Sequence, residues 1–141
     1  MTASAYPLGA TERRLQQRVQ TLLGDGEHVR AAVVAILGPR PGLEAVFAPV
    51  LGLLPWLFAN SRRRFTTIAV TDRGLVILDN IGLRRPVRVR ERFDSLDALG
   101  PMNDTVGDAS IEVNGVRYWI EGIWSSQMYE MRKLKRSSAD E

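Results

Sequence analysis

Leu15, Val19, Leu22 and Leu23 fall at i, i+4, i+7 and i+8, the single apolar stripe of a surface helix. Thr11 is placed to cap that helix, Glu12 suits its first turn, and Gly24-Asp25-Gly26 ends it. Residues 27–37 then form a β-rich run without helix caps and read as a strand, with His28 near its polar start. Residues 65–71 and 75–79 read as two strands of a hairpin turning at Asp72-Arg73-Gly74, and Asn80-Ile81-Gly82 supplies the next turn. In residues 86–93 the alternation predicts Val87, Val89 and Phe93 on one face and Arg88, Arg90 and Arg92 on the other. Glu91 breaks that pattern by falling on the apolar side. Leu96 and Leu99 mark a short strand or turn before Gly100-Pro101, and residues 109–113 and 116–120 flank Asn114-Gly115, a strong hairpin signal. From Ser125, Met128, Met131 and Leu134 recur at helical spacing, and Arg132, Lys133, Lys135 and Arg136 crowd the last turn, where cations suit the helix dipole. The final five residues read as a frayed tail.

This order predicts a mainly β fold: a small antiparallel barrel or curved sheet, an N-terminal amphipathic helix, and a C-terminal helix capping one open end. At 141 residues the chain makes one globular unit. It divides into a lead-in and helix over 1–26, a β domain over 27–136 interrupted by an apolar insertion at 38–61, and a disordered tail at 137–141.

Composition removes much chemistry. There is no Cys, and His28 is the one imidazole, so thiol nucleophiles, Cys-ligated metals and His-based triads are excluded. No nucleotide-binding, hydrolase or metal-binding motif stands at the required spacing. The expectation is a protein that is not an enzyme and carries no cofactor. Met1 to Gly9 lacks the basic start of a signal peptide, and with absent Cys this predicts a cytoplasmic protein, peripheral at the inner face of the membrane in the alternative reading.

The segments LLGDGEHV at 22–29, IAVTDRGLVIL at 68–78 and DASIEVNGVRYWI at 108–120, followed by a final helix, resemble a bacterial pleckstrin-homology-like (PH-like or GRAM-like) domain. The resemblance covers about residues 22–136 and departs from the family pattern in the long apolar insertion. It implies a small barrel with a C-terminal capping helix that binds lipids, peptides or other proteins. Eukaryotic members that bind phosphoinositides carry a basic residue late in the first strand and a basic-x-basic pair in the second. Arg40 and Arg62-Arg63-Arg64 are the nearest match here, but the insertion separates them, so only a generic anion-attracting role carries over.

Two features are left to carry function. From Ala45 to Ala59 there is no charge, and Pro39, Pro41, Pro49 and Pro55 cut the insertion into short pieces. A transmembrane helix needs about 20 apolar residues, and a single crossing would separate strands that belong to one sheet. Phe47, Leu51, Leu53, Leu54, Trp56, Leu57 and Phe58 are therefore candidates for burial in a protein interface or for shallow membrane contact. The second feature is charge: residues 62–92 sum to +6 and residues 93–131 to −6. Arg40, Arg62, Arg63, Arg64, Arg88, Arg90 and Arg92 are the candidate anion contacts. Three arginines spaced about 7 Å apart on one strand face repel unless an acidic surface or lipid headgroups face them. Nucleic acid is disfavoured because the aromatic residues do not lie among the arginines. The leading expectation is an adaptor that associates with a protein partner or with itself through strand edges and the apolar segment. The alternative is a peripheral membrane protein that inserts that segment while Arg62, Arg63 and Arg64 meet anionic headgroups.

Overall fold

A computed structural model describes residues 9–37, 64–82, 85–103 and 109–139. Helix α1 (Ala10–Leu22) precedes seven strands: β1 (Val29–Leu37), β2 (Arg64–Thr71), β3 (Gly74–Ile81), β4 (Arg85–Phe93), β5 (Leu99–Asn103), β6 (Ser110–Val113) and β7 (Val116–Ile120). Single 3-10 turns follow β4 (Leu96–Ala98) and β7 (Gly122–Trp124), and helix α2 (Ser125–Ala139) closes the chain. The fold is mainly β: one antiparallel sheet in the order β4-β3-β2-β1-β7-β6-β5. Two meanders, β1–β4 and β5–β7, are joined where β1 pairs β7 at Ala35↔Ile120 and Ile36↔Trp119. No helix among the described residues is long and apolar enough to cross a membrane.

The sheet is strongly curved. Strands β4 and β7 are four spacings apart, about 19 Å in a flat sheet. Yet the Arg90 guanidinium of β4 donates to the Tyr118 hydroxyl of β7 at 3.3 Å. Inside the curve lie Ala31, Val33, Ile68, Val70, Leu75, Ile77, Ile111, Val113 and Tyr118, on one face by register, all buried. Thr67, Ala69, Thr71, Val76 and Leu78 belong to the opposite face and are buried as well. Burial on both faces explains why β1 to β3 read as continuous apolar runs rather than alternating ones.

The helices complete the burial. Leu15, Val19 and Leu23 of the α1 segment join the common core, and α1 contacts β1 and β4. β1 pairs β7 over only two residues, which leaves the first half of its edge unpaired on that side. α2 occupies that gap: Met128 and Met131 are buried, and buried Gln127 accepts the Ala32 N–H at 3.1 Å. The same Gln127 Oε1 accepts from Gln16 Nε2 of α1 at 2.8 Å, so one amide ties both helices to the sheet.

Several sequence expectations change here. The cap of α1 is Gly9, not Thr11; Glu12 accepts the Gly9 N–H at 3.4 Å. α2 extends through Ala139, so residues 137–139 are helical rather than a frayed tail. β4 does not alternate cleanly. Its register with β3 slips between Ile77 and Leu78 and again between Asp79 and Asn80, leaving Arg90 and Val87 as extra residues. Each slip moves the following residues to the other face. Phe93 and Val89 therefore lie on opposite faces, and so do Arg92 and Arg88.

The β2–β3 hairpin turns at Asp72-Arg73, and Gly74 takes a φ of +136° beside the chain leaving β4. A Cβ there would stand 2.1 Å from the Phe93 carbonyl oxygen. Gly74→Ala should cost at least about 2 kcal/mol, measured by chemical denaturation, because both the dihedral and the contact oppose it. Unchanged stability would show that the hairpin and β4 separate easily.

Candidate functional site

Two chain connections meet at one end of the sheet. Leu37 and Arg64 pair as the last residue of β1 and the first of β2. Ile81 and Arg85 pair across the β3–β4 turn at the same end. The β6–β7 turn at Asn114-Gly115 is tied instead to the segment that leaves β4, the Asn114 N–H donating to the Ala98 carbonyl at 2.8 Å. The loop end where the β1–β2 and β3–β4 connections meet carries one of the exposed large apolar residues, Ile81 (66% exposed). It also carries the exposed arginines Arg64, Arg85 and Arg88.

A cavity of about 610 Å³ opens at this end, with Arg64, Asp79, Asn80, Ile81, Arg88 and Arg90 among its lining residues. Asp79 holds two of the arginines: Arg88 Nε donates to Oδ2 at 2.9 Å and Arg90 to Oδ1 at 3.2 Å. Arg90 is held from behind by Tyr118, whose phenol is pushed up by burial although the Arg90 cation pulls the other way. Asn80 accepts from the Thr67 hydroxyl through Oδ1 at 2.7 Å, while its buried Nδ2 has no partner among the described residues.

The structure thus brings Arg64, Arg88 and Arg90 together and separates Arg92 from them. Arg92 turns to the opposite face and donates to Glu27 at 2.7 Å. Three arginines on one strand need something to relieve their repulsion. Part of the answer is internal: the bulge at Arg90 splits the stripe, and Asp79 and Glu27 serve the two parts. Arg40, Phe47, Leu51, Leu53, Leu54, Trp56, Leu57, Phe58, Arg62 and Arg63 lie outside the described residues. Sequence reasoning missed Asp79, Asn80, Ile81 and Tyr118. The available signals were the single acid closing the run LVILD and the misplaced Glu91, which sits beside the bulge.

A second cavity, of about 390 Å³, sits at the far end between the β2–β3 turn and the end of α2. Its arginines, Arg30 and Arg73, face Asp72 and Asp94, so it has no charge bias. No His/Asp/Glu cluster among the described residues is arranged to hold a metal ion. No protein family, curated protein or solved structure matches this chain.

Glu27 is buried just past α1, and its carboxylate accepts from both Arg92 and the Thr71 hydroxyl, the latter at 2.8 Å. Burial alone would raise its pKa, but the bonds from Arg92 and Thr71 outweigh burial and hold it below the ordinary value of 4.5. Its stabilisation is therefore complete above pH 4.5 and is lost as pH falls through the lower folded value. Glu27→Gln should cost about 2 kcal/mol at neutral pH. In thermal melts across pH, that deficit should shrink below pH 4.5. A deficit independent of pH would show that the carboxylate is not the stabilising form.

Proposed function

We propose that this chain is a non-enzymatic PH-like binding module that docks by its loop end on an anionic membrane surface. The observation that carries this reading is the convergence at one end of three features. They are the arginine cavity, the exposed Ile81, and the two strand ends, Leu37 and Arg64, between which the uncharged run 45–59 is spliced. An apolar element flanked by arginines suits the boundary between acyl chains and headgroups, and each basic residue near such a surface contributes roughly 1 kcal/mol. The PH-like reading is supported by the four-strand and three-strand meanders, their closure through β1 and β7, and the terminal helix.

Association through strand edges finds less support. The terminal strands carry carbonyls already used by basic side chains of the helices. Arg18 of α1 donates to Pro86 O of β4 at 3.1 Å, and Lys135 and Arg132 of α2 donate to Leu99 O and Met102 O of β5. Covering an edge in this way is a common guard against unwanted strand pairing.

The chain should co-sediment with phosphatidylglycerol-containing vesicles at low salt and release as salt rises. Replacing Ile81 by Asp should weaken binding by about tenfold, whereas Asp at the exposed Ile123, beside the start of α1, should leave it unchanged. Native mass should stay constant with concentration. No sedimentation at low salt, together with a mass that rises with concentration, would favour self-association instead.

A further inference from the structure

The cavity at the loop end already contains an anion supplied by the protein. Asp79 presents one oxygen to Arg88 and the other to Arg90, the way two guanidinium groups grip an oxyanion. Its side chain is 25% exposed at the cavity, so the grip is open to exchange. Arg64 lines the same cavity, so three arginines stand there with one carboxylate among the described residues, and positive charge is left over. Asn80, the next residue of β3, turns to the other face, where its amide oxygen is taken by Thr67, so among the described residues the arginines alone are the donors.

We propose that Asp79 is a built-in competitor at a site for a phosphate-type oxyanion. The proposal rests on the loop end being the binding end. Two sources share the chemistry: a phosphate on a lipid headgroup and free inorganic phosphate. The donor set separates phosphate from carboxylate. A carboxylate ligand offers two oxygens and merely trades places with Asp79. A phosphate group with three or four free oxygens offers more, enough to draw the solvent-facing Arg88 (77% exposed), share Arg90 and engage Arg64. Arg90 stays in place throughout because Tyr118 holds it. Asp79 thus keeps the arginines oriented when no ligand is present and sets the affinity a ligand must exceed.

Asp79→Asn keeps the shape and removes the competing charge. It should bind inorganic phosphate, vesicles bearing the phosphomonoester phosphatidic acid, or both at least about tenfold more tightly than the parent, because each charge-assisted hydrogen bond is worth roughly that factor. A gain for phosphate alone assigns the site to the free ion, a gain for vesicles alone to a headgroup, and a gain for both to their common group. A variant that melts like the parent yet gains on neither probe overturns the proposal. Should Asp79→Asn melt well below the parent, the parent itself decides. Phosphate should shift the Arg88 and Arg90 side-chain N–H resonances while equimolar acetate does not, and no shift with phosphate overturns the proposal. A parent that ignores vesicles while Asp79→Asn gains on phosphate defeats the membrane reading and leaves this one standing.

Discussion

The extra residue at Arg90 sets the phase of β4, and much of the molecule follows from it. Without that bulge, Arg88, Arg90 and Arg92 would share a face and repel. With it, Arg92 turns to Glu27 behind the sheet, while Arg88 and Arg90 turn to Asp79 at the rim. The bulge also aims Arg90 across the curve to Tyr118, which couples the last strand of the first meander to the last strand of the second. Bulges bend and twist the strand that carries them, so one inserted residue serves curvature, charge pairing and the shape of the cavity together.

The second constraint is the short pairing of β1 with β7. A sheet curved this tightly leaves part of β1 without a strand neighbour, and a buried backbone N–H without a partner is costly. Gln127 supplies the acceptor for Ala32, and its link to Gln16 fixes how the two helices meet. Basic side chains from the same helices occupy carbonyls on β4 and β5. The helices therefore brace both terminal strands, and the arginine cavity lies away from them beside the exposed Ile81.

Local periodicity made much of the fold legible. The stripe at Leu15, Val19 and Leu23, the hairpins at Asp72-Arg73 and Asn114-Gly115, and the stripe at Met128 and Met131 all depend on neighbours close in sequence. What the sequence hid depends on pairing. A register slip leaves no compositional mark apart from an anomaly such as Glu91, and Gln127 looks like any polar residue beside a helix cap. The site was half visible for the same reason. Arg64 and Arg88 were recognisable as cations, but only the strand order places them in one cavity with Asp79 and Asn80. Ile81 read as part of a turn, whereas β3 extends through it and leaves it exposed at the tip.

The central claim is that the end bearing Ile81 is the end that meets an anionic surface. The chain has no cysteine, so Ile81→Cys and Ile123→Cys each carry a single environment-sensitive label. On phosphatidylglycerol vesicles the account predicts a blue shift and quenching by nitroxide lipids for the label at 81, with the label at 123 remaining in water. Equal immersion of both labels, or immersion of 123 alone, would contradict it.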